Sequence, residues 1–443
     1  MSYVGRINYG LMDRYLLTAS LRYDGSSRLS EGNKWAFFPS AAIAWRITEE
    51  DFAKNLDWLS NLKLRFSYGQ AGNTNSVSPY ASEGTISGSV YYPFGTSTSV
   101  GNLPANIANP MLTWERTSEY NVGLDFGFLN QRISGNIEYY NRTTNDLLMK
   151  RNIPVHLGYS SVTSNVGSVR NSGFELQLNT ANIVTKNFAW NTTINLAYNK
   201  NEIVSLADEE DLSNYSIHLK GMRGRYSDKR FIGKPVDTNW TQNTIGVWQL
   251  GEEEEAAKYG CVPGNFKIKD YNNDGKLTDD DYIIDGKRTP DWTGGMTNMF
   301  KIYDFDFSFH MYFQAGATQY DRFFENFALE WNSQNFNNLR TNYWTPENPS
   351  NTMGRPSQMG SRGNIAYERT DFLKVSYITL GYTLNKRLMS KWGLDNARIY
   401  VTVQNPFILT KFRGLDPEQP DLTNIGDTDG MTMNALLGVN ISF

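Results

Sequence analysis

The 443-residue chain has one cysteine, Cys261, and three histidines, His156, His218 and His310. A single thiol closes no intramolecular disulfide, and so few imidazoles make Cys/His zinc chemistry a poor fit. Long apolar runs are also missing. No stretch reaches the roughly 18 apolar residues of a membrane helix. That excludes a helical membrane protein and leaves a barrel open, because barrel strands hide their hydrophobicity in alternation. Charge of one sign is lacking too. The net charge is −4, which gives no footprint for nucleic acid. HExxH, GxSxG, P-loop and GxGxxG patterns are absent, and each histidine is isolated in sequence. The chain therefore reads as a non-enzyme. Residues 1–12 show no basic segment followed by an apolar one, so no signal peptide is read there. Tyr3 to Tyr9 already has a strand pattern, which predicts that the sequence begins partway through a longer one.

Aromatic residues are abundant: 14% of the chain, led by 26 Tyr and 24 Phe. Hydrophobic content is 40%, and mean hydropathy is −0.51. The pattern matters more than the average. In the last stretch Met433, Ala435, Leu437, Val439, Ile441 and Phe443 alternate with Asn434, Leu436, Gly438, Asn440 and Ser442. Successive strand side chains point to opposite faces, so this is a strand with one oily face. Phe305, Phe307, Phe309, Met311, Phe313 and Ala315 repeat the device against Asp306, Ser308, His310, Tyr312 and Gln314. So do Tyr15, Leu17, Ala19, Leu21 and Tyr23 against Thr18, Ser20 and Arg22.

Strands are predicted at 3–9, 14–24, 35–47, 61–70, 116–128, 133–146, 166–180, 187–199, 292–301, 305–317, 371–383, 396–405 and 433–443. Most have about ten residues, the length of a tilted strand crossing a bilayer. Short connections near 10–13, 129–132, 181–186, 302–304 and 384–395 alternate with long ones near 71–115, 147–165, 200–291, 318–370 and 406–432. Tight periplasmic turns and long outer loops produce this rhythm. The pair at 25–34 and 48–60 blurs it, and 48–60 reads as a short capped helix. The predicted fold is all-β: a transmembrane, antiparallel, up-and-down β-barrel with long extracellular loops. The oily series faces lipid. The polar series, such as Thr18, Ser20, Arg22, Ser308, His310 and Gln314, lines water. A soluble propeller or sandwich is the competing fold. Its strands run nearer five or six residues, and it would not expose rows of Tyr, Phe and Leu.

One loop motif is sharp. Asp270, Asn272 and Asp274 occupy positions 1, 3 and 5 of a twelve-residue calcium-type loop, with Gly275 at the turn. Lys276 offers its carbonyl, and Asp281 stands last in place of the usual Glu. The expectation is a structural Ca2+ site that stiffens loop 200–291. The plainer reading is an Asp/Asn/Gly turn cluster. Glu252 to Tyr259 reads as a short helix with a solvated acidic face, and Arg322 to Trp331 also has a helical pattern. Trp331, Tyr343 and Trp344 read as a small loop core rather than a sugar platform.

Several segments resemble one family throughout the chain. They include Tyr23-Asp24-Gly25-Ser26-Ser27, Phe38-Pro39-Ser40 with Trp45, and Leu62 to Asn73. Asn109-Pro110, Trp114-Glu115, Tyr140 to Leu148, Asn165 to Gly167 and Gly173 to Glu175 continue the series. Gly233 to Pro235, the calcium-type loop, Gly294-Gly295, Gln404-Asn405 and Asp416 to Glu418 complete it. In this order they resemble the SusC/RagA family of TonB-linked (TonB-dependent) outer-membrane transporters of Bacteroidetes. The resemblance implies a barrel of roughly 22 strands, of which residues 1–443 would be the C-terminal part with about 13. The plug domain and TonB box would lie outside this chain. It further implies the cell outer membrane, a SusD-like surface lipoprotein, TonB as energy source, and a glycan or peptide substrate. A passive porin or structural barrel without energy coupling is the alternative function. A surface enzyme or adhesin carried on the loops is another.

Overall fold

A computed structural model describes residues 1–153, 156, 158–159, 161–206, 213–214, 223–225, 229–329, 341–356, 361–385, 389, 393–420 and 431–443. His218 and Trp331 lie outside the described residues. One sheet of 13 strands dominates it. Its strands are β1 Ser2–Leu11, β2 Tyr15–Gly25, β3 Trp35–Arg46, β4 Leu59–Asn73, β5 Glu115–Phe128, β6 Ile133–Asn145 and β7 Ser168–Val184. They continue as β8 Phe188–Ser205, β9 Trp292–Ile302, β10 Phe305–Ala315, β11 Phe372–Thr383, β12 Asn396–Thr410 and β13 Asn434–Ser442. Each strand pairs antiparallel with the one before and after it, so the sheet is a single meander with β1 and β13 at its edges.

All the strands expected from alternation are present. Several run longer, such as β8, which continues to Ser205, and β12, which continues to Thr410. Pairing outlasts the alternation there because the ladder rises into the outer loops. Connections at one end cover 12–14, 47–58, 129–132, 185–187, 303–304 and 384–395. At the other end they cover 26–34, 74–114, 146–167, 206–291, 316–371 and 411–433. The asymmetry marks the second end as the outer one. The tight turns need left-handed backbone at ordinary residues, as at Met12 (φ 55) and Asp13 (φ 53).

The capped helix expected over 48–60 does not form. A single 3-10 turn, Ile47–Glu49, is followed by turns, and its N-cap residue Arg46 makes no side-chain cap bond. Glu50 is recruited elsewhere: it accepts from Tyr15 Oη at 2.7 Å, Trp45 Nε1 at 2.9 Å and Arg14 Nη1 at 2.9 Å. Those bonds tie the segment to the ends of β2 and β3 rather than to a helix axis. The bonds from Tyr15 and Trp45 hold the Glu50 carboxyl below its ordinary range. Over Arg322 to Trp331 the described residues are helical as expected, α over Arg322–Phe324 and π over Glu325–Leu329. The helix near Glu252 forms as expected, over Glu253–Lys258.

Register sorts the side chains. Directly paired residues share a face. Tyr9, Leu17, Ile43, Phe66, Val122 and Tyr139 form one row across β1 to β6. Leu64, Leu124, Ile137, Leu176 and Leu196 form the next. At the far edge Val401 pairs with Leu437 and Ile399 with Val439. These rows are not packed on a second sheet: Ile7 is 71% exposed and Leu437 75%. Aromatic clusters bracket the rows. Tyr3, Tyr23, Trp35 and Phe37 stack at the outer end, with centroids 4.3–6.1 Å apart. Phe174, Tyr198 and Trp292 do the same there. Trp58 stacks on Phe128, and Trp190 on Phe300, at the short-turn end. Two aromatic girdles around an apolar band are the mark of a lipid-facing wall. Polar groups on this face are satisfied: Asn298 Oδ1 accepts from Trp190 Nε1 at 2.9 Å and Thr192 Oγ1 at 2.7 Å.

The true cores lie in the outer loops. Leu29, Ala36, Phe38, Val77, Leu112 and Trp114 form one, over the outer end of β3. Val247, Phe266, Phe324, Leu329, Trp344 and Ala366 form another, joining loops 206–291 and 316–371. Trp344 packs as expected and donates to Gln249 Oε1 at 2.9 Å, while Tyr343 remains 43% exposed. In the full-length protein, Leu124→Arg on the apolar face should cost about 2–4 kcal/mol, because a cation at mid-height meets hydrocarbon. Gln177→Arg on the opposite face should shift stability by less than about 0.5 kcal/mol. Urea unfolding in lipid vesicles measures both. Equal costs at the two positions would refute the assignment of faces.

Candidate functional site

The site is the polar face of the wall. Its rows run through every strand. Asn8, Thr18, Ala42, Ser67, Asn121 and Tyr140 are in register across β1 to β6. Thr18, Ser20 and Arg22 share this face with Arg65, Glu138 and Glu175. Gly295 pairs with Tyr312 and Thr297 with His310, which carries the face on to Ser308, His310 and Gln314. The residues expected to line water therefore lie on one surface. His310 stacks on Tyr377 at 5.7 Å, and its Nδ1 lies 2.8 Å from Thr297 Oγ1. That is a structural setting.

Charge on this face is organised in bridges. Arg65 donates through Nε and Nη2 to Asp125 at 3.1 and 2.8 Å, and through Nη2 to Glu138 Oε1 at 2.7 Å. Lys63 Nζ lies 2.7 Å from Asp125 Oδ2. Asn121 and Asn136 donate to Glu138 at 3.2 and 3.1 Å. Glu138 is two strands away from Arg65, and Gly123 stands between them in register. A Cβ at Gly123 would lie 2.9 Å from Arg65 Nη2, so the guanidinium lies flat over the glycine. Arg398 repeats the device. It spans β11 to reach Asp306 at 2.8 and 2.5 Å, and a Cβ at Gly381 would meet it at 2.5 Å. Periodicity identifies these residues as polar-face residues. Only the tertiary structure shows that each guanidinium crosses a glycine to reach its acid.

Glu175 differs from its neighbours. Asp24, Glu119, Asp125, Glu138, Glu202 and Asp306 on the wall strands each have a basic partner. Glu115 accepts from Asn73, Ser76 and the Leu148 amide. Among the described residues, Glu175 alone of the wall carboxylates has neither an ion pair nor a hydrogen bond. It faces Glu138 on one side and Ala197 on the other. Like charges directly opposite repel, so the position demands a cation. Beside it is a hollow of about 420 Å³ lined by Asn136, Gln177, Asn195, Thr293 and Tyr312.

The calcium-type residues lie in loop 206–291, between the short strands Phe266–Ile268 and Tyr282–Lys287. The loop closes on its own amides. Asp270 Oδ1 accepts from Asn273 N at 2.6 Å, and Oδ2 from Gly275 N at 2.9 Å and Tyr259 Oη at 3.1 Å. Burial pushes the Asp270 carboxyl up, but these donors together hold it below its ordinary range. Asn272 Oδ1 accepts from Asp274 N at 3.1 Å, and Asp274 Oδ1 from Lys276 N at 2.8 Å. Asp281 is fully buried and accepts from Tyr271 N and Thr278 N, both at 2.8 Å. It completes a capping box with Thr278. Asn273 (φ 56) and Gly275 (φ 78) are left-handed. Among the described residues no three acidic, histidine or cysteine side chains converge on a metal position. Cys261 is buried, and burial raises its thiol.

Residues 2–405 match the family model described as TonB dependent receptor-like, β-barrel. TonB-dependent receptor P26 of Formosa agariphila is 34% identical over 460 residues, covering 100% of this chain and 46% of that protein. TonB-dependent receptor SusC of Bacteroides thetaiotaomicron is 35% identical over 455 residues, covering 100% of this chain and 44% of that protein. The chain thus spans less than half the length of these relatives. Among solved structures, the RagAB peptide importer in its open-open state superposes with a TM-score of 0.79 at 25% identity, covering 100% of this chain and 46% of that one.

Replacing Arg65 by Met should cost about 1–3 kcal/mol in the full-length protein, since Asp125 and Glu138 lose charge-assisted bonds while half-buried. Adding Asp125→Leu and Glu138→Gln should recover part of that loss. Thermal unfolding of the two variants checks it, and no recovery in the triple variant would argue against the bridge.

Proposed function

The chain belongs to the TonB-dependent receptor-like β-barrel family, and from that premise we propose that it is the later wall of an outer-membrane nutrient importer driven through TonB. The family is one of the cell outer membrane. One observation supports the reading above others: a continuous polar face opposite a continuous apolar one across all 13 strands. Such a wall separates hydrocarbon from water. The edge strands β1 and β13 would leave unpaired amides and carbonyls in lipid, each costing several kcal/mol. Further strands of a longer protein would pair them, in keeping with relatives more than twice as long. A plug and a TonB-contacting segment belong to that remainder, and a SusD-like lipoprotein covers the outer loops. The substrate is a glycan or a peptide. Its polar groups would exchange hydrogen bonds along the amides and hydroxyls of the polar face.

The test is uptake of labelled oligosaccharides and oligopeptides by cells carrying the full-length protein. Loss of uptake when TonB is removed is the expected result; uptake that persists would identify a passive porin. Glu175→Gln should lower uptake of a lysine-rich peptide about two- to fivefold, the effect of one solvent-facing ion pair, and leave a neutral one unchanged. Equal effects on both peptides would rule out a role for Glu175 in charge selection.

The outer loop carries a second role in this reading. Asp270, Asn272, Asp274, the Lys276 carbonyl and Asp281 take a calcium ion that stiffens loop 206–291. The twelve-residue spacing and the two left-handed residues support it. The ion would have to draw Asp274 and Asp281 inward from their present amide donors. Calcium should then slow protease nicking of this loop, and Asp270→Ala with Asp274→Ala should abolish the slowing. Identical nicking with and without calcium in the parent would show that the amide ring alone holds the loop.

A further inference from the structure

Asp321 is fully buried at the start of the turn Arg322–Phe324. Its Oδ1 accepts from Phe324 N at 2.9 Å. Its Oδ2 is buried and has no hydrogen-bond partner. Most buried carboxylate oxygens are satisfied, because one without a donor keeps its desolvation penalty with no bond to offset it. The cover over this oxygen comes from a distant part of the chain. Segment 411–420 leaves β12 and crosses above the turn. A Cβ at Gly414 would lie 2.9 Å from Asp321 Oδ2. Phe412 and Asp416 are buried in the same segment. Arg322 N donates to Pro420 O at 3.2 Å, and the Arg413 guanidinium lies 4.2 Å from the centre of the Phe324 ring.

The charges around Asp321 do not neutralise it. The Arg413 charge favours an ionised Asp321, but Arg413 is ion-paired to Glu368, on the ribbon Tyr367–Arg369. Glu368 itself repels a charge on Asp321. On its own element, Arg322 leans toward the Tyr320 ring, and Glu325 accepts from Tyr320 Oη at 2.5 Å. In segment 411–420, Asp416 accepts from Glu418 N, and Glu418 pairs with Lys374.

We propose that Asp321 is a proton-operated latch that holds segment 411–420 against outer loop 316–371 when its carboxyl is neutral, and releases it when the carboxyl ionises. Neutral, the group caps the turn through Oδ1 and tolerates a dry Oδ2. Ionised, it needs water or a second donor at Oδ2, and only movement of Gly414 and its neighbours admits one. Desolvation pushes this carboxyl up to about 6, so the change falls within an ordinary environmental range. The sign follows from linkage: a carboxyl raised on folding supports the closed state at low pH and loses that support as pH rises through its folded value. The two loops join the outer ends of β10, β11, β12 and β13, so the latch controls how far the outer mouth is tied together.

Hydrogen exchange on the full-length protein in outer-membrane vesicles tests this. After correction for intrinsic rates, amides of 411–420 and 322–324 should exchange several-fold faster at about pH 8 than at about pH 5. Asp321→Asn keeps an acceptor for Phe324 N and cannot ionise, so exchange should be slow at both values. Glu368→Gln frees Arg413 to face Asp321 and should move the midpoint to lower pH. A parent protein without the pH dependence would overturn the latch. So would an Asp321→Asn variant that retains it.

Discussion

Hydrocarbon offers no partner to a backbone amide, and that constraint governs the molecule. A strand that crosses lipid must give every N–H and C=O to a neighbour. The 13-stranded meander does this along its inner strands, interrupted by local bulges such as the one at Ser376. Once the ladder is obligatory, side chains are left to answer only one question, which solvent each face meets. Leu64, Leu124 and Ile137 answer for lipid, and Arg65, Gly123 and Glu138 for water, on the same three strands. Stability in this chain therefore comes less from a packed interior than from a solvent boundary.

The polar face has its own logic. A bare acid on the wall would hold a cation or repel its neighbours. The wall solves this by laying Arg65 and Arg398 across glycines onto acids of a strand farther on. Such bridges fasten strands that backbone pairing does not join. They also quench charge that would otherwise face water on this side of the wall. Glu175 is left unquenched, beside a hollow lined with amides. Among the described residues the acids of this face are thus paired or hydrogen-bonded except Glu175.

The outer loops behave as small soluble domains. Their apolar residues collapse into cores with Trp114, Phe266 and Trp344, and their turns are held by Asx bonds and the capping box at Thr278. Asp270 and Asp281 show how a motif can be satisfied internally: each carboxylate already has amide donors. Asp321 shows the reverse, a cap whose second oxygen has nothing to accept from. Loops of this kind carry an imbalance where the wall cannot.

The alternation of Phe305 to Ala315 and of Met433 to Phe443 determined the strands, their antiparallel order and the side that meets lipid, because a period of two is a local property of the chain. Loop lengths determined which end is the outer one. The helix expected at 48–60 shows the limit of such reading: local helical pattern lost to Glu50 reaching Tyr15 and Trp45. Sequence placed Arg65, Glu138 and Glu175 on the wet face, but which of them pair depends on strand register. Only the tertiary structure decided that Arg65 is engaged and Glu175 is free, and that Gly414 seals Asp321. Those facts join residues far apart in the chain, and distance in sequence carries no record of contact in space.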